Sequence, residues 1–269
     1  MASEMVSRPD KPIVLKEVHG EYKDAFNNVI RGECNACNIT LAGGDNQLDF
    51  AGANIRGTHI VFRSTGCRMT LGKGCHFGGN NVNINRPNVS FVLEEGVFLQ
   101  SAKLHLWNTS KMRVGRNTTF GYDCDFVVSS FSELQIGKDC MFSSYVKINV
   151  ADDHAIFDVR TGKNLNSNEG NKRRHVILGD HVWVCKDAFF LGNTRIGNGS
   201  IVGARSLVKG EFPNNCIVAG DPARIIAVDR SWSKVYGSDD IGTCGEEYIM
   251  PTIMSEEETR RIDAEQEHP

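Results

Sequence analysis

The run DDHAIFD carries the residues best suited to proton transfer in this chain: His154, with Asp152, Asp153 and Asp158 close by. An imidazole titrates near neutrality and can act as a general base, and a neighbouring carboxylate can orient the ring or stabilise its protonated form. The residues do not choose among the three acids. His175 and His181 flank the place where a regular pattern resumes and could face the same cleft, whereas His19, His59, His76 and His105 have no supporting motif. Among the nine cysteines, Cys34 and Cys37 form one CxxC with no second pair at zinc spacing, so they read as two small thiols. Cys185 would need an activating base to act as a nucleophile, and none is evident. The run KRRH, from Lys172 through Arg173 and Arg174 to His175, reads as a solvated loop cluster or, if used, as a site that favours an anionic acceptor.

What must hold these groups is a repeat. From Leu178 an apolar residue recurs every sixth position, through Val184, Phe190, Ile196, Val202 and Val208. Four residues after each of the first five stands a small or β-branched one: Val182, Ala188, Thr194, Ser200, Ser206. The phrase hydrophobic–Gly–x–(Gly/Asp/Asn)–small appears upstream as LGKGC at Leu71, VGRNT at Val114 and IGKDC at Ile136, with LEEGV at Leu93 a looser copy. A helix cannot keep positions six apart on one face, and its glycines would each cost about 1 kcal/mol. Three short strands joined by sharp turns can, with each apolar position stacked over its equivalent in the next coil. Cys75, Cys124 and Cys140 occupy the small slot, which assigns them to packing. The expected class is all-β, a parallel β-helix of hexapeptide repeats.

The repeat breaks between Asn149 and His175, and a polar segment of that length inside a coil stack is predicted to protrude as a functional loop. The expected organisation is a leader and irregular cap over 1–50, the β-helix over 51–226 with its loop at 149–175, and an extension over 227–269. A short helical tail is predicted at 255–266, where SEEE follows a candidate N-cap at Ser255.

The 30 lysines and arginines against 33 acids, a net charge of −3, give no bulk attraction to polyanions and argue against nucleic-acid binding. No apolar run approaches the roughly 20 residues of a membrane span, and MASEMVSRPDKP lacks a secretory core, so a cytoplasmic location with reduced thiols is expected.

The segment LGDHVWVCKDAFFLGNTRIGNGSIVGARSLVKGEFPNNCIVAGDPARII closely resembles the hexapeptide-repeat acyltransferases, and DDHAIFD resembles the histidine segment of members that O-acetylate sugars, including bacterial capsule and sialic-acid O-acetyltransferases. The resemblance implies a left-handed β-helix, a homotrimer with sites between adjacent copies, acetyl-CoA as co-substrate, no metal, and a carbohydrate acceptor such as a surface polysaccharide. By the same resemblance His154 is the base for direct transfer, and Asp152 and Asp153 lie near the acceptor. Trp183 lines the acceptor and thioester end, or else covers a subunit interface. Lys186 and Ala204 would offer backbone to the pantetheine amides, and Gly203 would let the chain come close. Lys209 and Arg224 would face the nucleotide phosphates. Cys185 and Arg205 depart from the small residues usual at their positions, which could narrow the channel or, at Arg205, add a phosphate contact. Three rival readings stand beside this one: N-acetylation of an amino sugar nucleotide, a hexapeptide-repeat carbonic anhydrase needing three histidines on zinc, and a non-enzymatic scaffold.

Overall fold

Every apolar residue that sets the six-residue step points inward. Leu178, Val184, Phe190, Ile196, Val202 and Val208 are each at most 3% exposed, and the small residues that accompany them at most 1%. The structure, a computed structural model, describes residues 8–50, 52–152, 154–166, 174–253 and 255. It is a left-handed parallel β-helix of about 8 turns.

Three ladders make the walls of a prism. Wall 1 runs through Phe98–Gln100, Trp183–Val184, Ile201–Val202 and Ile217–Gly220. Wall 2 runs through Lys103–Leu106, Asp125–Val128 and Lys147–Asn149. Wall 3 runs through Lys111–Val114, Ser132–Ile136 and Arg174–Leu178. Coils shrink along the stack: Asn81 pairs with Lys103, a step of 22, Val176 with Thr194, a step of 18, and Ile201 with Ile217, a step of 16. The parallel ladders begin at Val29–Cys34 and Cys37–Leu41, and Ile13–Leu15 and Val18–Lys23 add antiparallel edges to that first turn. Cys75, Cys124 and Cys140 are fully buried, and burial pushes the Cys124 and Cys140 thiols up to about 12. The helix expected at 255–266 lies outside the described residues apart from Ser255. Among the described residues no helix is long and apolar enough to cross a membrane.

The glycine-bearing phrase has two physical causes. Its first glycine lies where successive coils touch backbone to backbone: a Cβ on Gly137 would stand 2.3 Å from the Gly179 carbonyl oxygen. Gly137→Ala should therefore lower stability by about 1–3 kcal/mol, as overpacking does, measured as a shift of the urea midpoint at unchanged slope. Its Gly/Asp/Asn slot is the corner from wall 3 to wall 1, where Gly74, Gly96, Asn117, Asp139, His181, Gly199 and Asn215 all have φ between 49 and 72°. Only glycine enters that region freely, with Asn and Asp next.

This column of corners is also a rail for the C-terminal extension. Lys234 Nζ donates to Asp139 Oδ1 at 2.6 Å and to the Asn117 carbonyl at 3.2 Å. The His181 ring lies between Trp232, at 4.2 Å, and Tyr248, at 4.6 Å, and its Nδ1 is 2.7 Å from Asp139 Oδ2. Asn215 Nδ2 donates to the Tyr248 carbonyl at 2.7 Å. Burial works to raise the Asp139 carboxyl, but the hydrogen bonds from Lys234 and His181 outweigh it and hold the group below its ordinary 3.8. A carboxyl depressed in the folded state stabilises it above the unfolded value and loses that contribution as pH falls through it. The extension should accordingly loosen below about pH 4, seen as faster amide hydrogen exchange over 229–253 than in the coil stack, and Asp139→Asn should abolish that pH dependence.

Candidate functional site

The protruding loop leaves the stack after Lys147–Asn149 of wall 2 and returns at Arg174–Leu178 of wall 3, so it replaces the corner between those walls. Its outgoing and returning limbs pair through a bridge between Phe157 and Asn164. Asp158 closes the tip, where its Oδ1 accepts from the Arg160 and Thr161 amides at 2.8 and 2.9 Å. Those bonds hold its carboxyl below the usual range. One of its two oxygens is thus engaged within the turn, four residues along the chain from His154.

Asn166 ties the base of the loop together. Its Oδ1 accepts from the Ile156 amide at 2.8 Å, and its Nδ2 donates to the His154 carbonyl at 2.8 Å and to Asp152 Oδ2 at 3.3 Å. Asp152 and Asn166 line a cleft of about 460 Å³ with Trp107, Ser129, Ser130, Ala151 and Arg174. The His154 main chain is thus fixed beside this cleft while its side chain is exposed, and among the described residues the ring has no partner. Asp153, Lys172 and Arg173 lie outside the described residues. Of the KRRH run, Arg174 reaches the cleft, and His175 sits in the wall 3 ladder opposite Glu133.

Trp107 and Ser129 are cleft residues that motif reading missed, though their spacing was visible. Leu106 pairs with Val128 and Val127 with Asn149, so Trp107, Ser129 and Ala151 stack at one corner in steps of 22. An indole face, a guanidinium and hydroxyls around one cleft suit a sugar ring, by apolar contact and hydrogen bonding.

The residues expected to hold the cofactor lie elsewhere. Trp183 is on wall 1, directly beneath Ile201, and Cys185, Lys186, Gly203, Ala204 and Arg205 form the corners from wall 1 to wall 2. The Cys185 amide donates to the Val202 carbonyl and the Arg205 amide to the Lys186 carbonyl, whereas the Lys186 and Ala204 amides have no partner among the described residues. Two unpaired N–H groups on adjacent turns offer a donor pair to an extended amide chain. A Cβ on Gly203 would meet the Ala219 Cβ at 2.8 Å, so bare backbone is required there by the next coil. Burial raises the Cys185 thiol, which opposes thiolate chemistry at neutral pH. Lys186 Nζ lies 5.2 Å from the Tyr145 ring centroid. Arg205 is exposed with φ 57°, Lys209 is exposed on the strand Leu207–Phe212, and Arg224, also exposed, pairs with Ala219 in the closing hairpin. His181, which could have faced the cleft, is instead 3% exposed beneath the extension. Among the described residues no three His, Cys, Asp or Glu side chains come together as metal ligands.

No protein-family model matches the chain. It is 33% identical over 125 residues to the polysialic acid O-acetyltransferase of Escherichia coli O1:K1 / APEC, covering 46% of this chain and 39% of that protein. It is 34% identical over 108 residues to WbbJ of Escherichia coli (strain K12), provisionally named an O-acetyl transferase of lipopolysaccharide biosynthesis, covering 38% of this chain and 54% of that protein. The chain thus spans less than two thirds of the length of these curated relatives. In structure it resembles the polySia-specific acetyltransferase NeuO, with a TM-score of 0.63 at 22% identity over 80% of this chain and 82% of the other. It also resembles the polysialic acid O-acetyltransferase OatWY, with a TM-score of 0.61 at 21% identity over 73% and 92%. The resemblance to hexapeptide-repeat acyltransferases read from the repeat and from DDHAIFD is borne out by these relatives and by the shared β-helix.

Proposed function

We propose that this protein is an acetyl-CoA-dependent O-acetyltransferase acting on a carbohydrate hydroxyl, working as a homotrimer in which one copy's loop cleft faces the next copy's wall 1 corner. The observation that carries this reading is the separation of two complementary half-sites. The cleft beside His154 has the groups for a sugar, and the turn at Lys186 and Ala204 has free donors for a pantetheine arm, yet they occupy different corners of one chain. Neither half is a complete site, and a second copy supplies the missing one.

In this mechanism the acceptor lies in the cleft against Trp107, with Asp152 and Arg174 fixing its polar groups. His154 takes the hydroxyl proton as the oxygen attacks the thioester carbonyl, backbone N–H groups steady the oxyanion, and collapse expels the CoA thiolate, which recovers the proton from the imidazolium. Trp183 bounds the thioester end. Arg224 lies at the far end of the wall 1 ladder, three strand spacings or about 14 Å from the Trp183 level, and with Lys209 and Arg205 it supplies cations for the nucleotide phosphates. Asp153 is assigned to the acceptor by its neighbours in sequence. The relatives' names support a surface glycan as acceptor.

The test is acetyl transfer to a panel of oligosaccharides and sugar nucleotides, followed as CoA thiol release and by mass. The expected product is an ester, removed by mild alkali. An alkali-stable amide on an amino sugar would replace this reading with N-acetylation, and absence of transfer to any carbohydrate would overturn it.

A further inference from the structure

The extension over 229–253 does more than cover a corner. Trp232 is 5% exposed, and its Nε1 donates to the His181 carbonyl at 2.8 Å while its own carbonyl lies 2.9 Å from His181 Nε2. Its ring is stacked on the imidazole at 4.2 Å and 11°. It therefore has one available orientation, set by ring stacking, two hydrogen bonds and the Lys234–Asp139 pair beside them. Trp183 is the opposite case. Its indole N–H is buried with no acceptor among the described residues, so no hydrogen bond sets the ring, and its aromatic neighbour is Trp232 at 5.9 Å and 41°. A side chain without a polar anchor takes its orientation from what packs on it.

We propose that Trp232, pinned by His181, is a positioning residue that sets the Trp183 indole, which makes the C-terminal extension a working part of the site. The inference rests on the reading of Trp183 as the wall of the acceptor and thioester pocket. It gives the rail a second consequence: His181, in a slot that otherwise takes Gly, Asn or Asp, is there to hold Trp232 rather than to shape the coil.

The test uses the full chain with Trp232→Ala, Trp232→Phe and His181→Asn. The last keeps a residue at ease with positive φ and removes the imidazole. Two coupled indoles give an exciton band in far-ultraviolet circular dichroism. The wild type should show it, and His181→Asn should lose it while still melting cooperatively. Trp232→Ala and His181→Asn should lower kcat about tenfold or more with acetyl-CoA affinity within about twofold, because misplacing a pocket wall slows the reaction without removing a cofactor contact. Trp232→Phe retains a ring on His181 and should stay within about threefold of wild type. Wild-type kcat in folded His181→Asn, or no exciton band in the wild type, would overturn the proposal. If Trp232→Ala does not fold, His181→Asn and Trp232→Phe decide. A wild type that shows the band yet acetylates no carbohydrate would mean that the enzymatic reading fails while the packing of the two indoles stands.

Discussion

His154→Ala should leave acetyl-CoA binding near wild type and reduce kcat by about 10²–10⁴, the range lost when a positioned general base is removed. The structure gives the reason for expecting so clean a split. Within one chain His154 lies on the loop between walls 2 and 3 and not at the wall 1 corner where Lys186 and Ala204 present their amides, so it is assigned the acceptor's proton and no cofactor contact, and among the described residues its ring makes no contact that holds the fold. Calorimetry with acetyl-CoA and steady-state transfer kinetics measure the two halves. Unchanged turnover would remove His154 from the mechanism, and lost acetyl-CoA binding would place it in the cofactor site instead. Asn166→Ala probes the same loop more gently, since it releases the His154 carbonyl and Asp152 while leaving the imidazole in place.

The second large effect is complementation. His154→Ala disables the loop half of a site, and Trp183→Ala disables the wall 1 half. Each homo-oligomer should be nearly inactive. If sites form between copies, mixing the two variants through unfolding and refolding creates assemblies in which one interface joins an intact loop to an intact wall. For random trimers from equal amounts, about a quarter of the wild-type activity should return. Sites contained within single chains would regain none. Mass photometry on the refolded mixture gives the assembly size against which the recovered activity is judged.

How much of this was readable before the structure depended on the range of the interaction. The six-residue step from Leu178 to Val208 fixed the coil stack, because each of those residues must be buried and only three short strands per coil bury them all. The Gly/Asp/Asn slot was equally legible, since the left-handed corner is a demand each residue meets alone. The loop announced itself as a break in period, but it took the strand register to put Trp107 over Ser129 and Ala151. The sequence could not separate Asp158 from Asp152 and Asp153 as the acid beside His154; the structure adds that one Asp158 oxygen accepts from the Arg160 and Thr161 amides of the turn.

The sequence by itself determined the β-helix, its buried core and the residue types at its corners, because periodic burial and backbone conformation are local requirements repeated along the chain. Only the tertiary structure decided that His154 and Lys186 sit on different corners, that Arg174 enters the cleft with Trp107, and that Trp232 packs between His181 and Trp183. Those relations join residues from different turns and from an extension without a repeat. Their positions follow from how many residues each coil consumes and from which side chains the corner rail can grip, and no local preference encodes either.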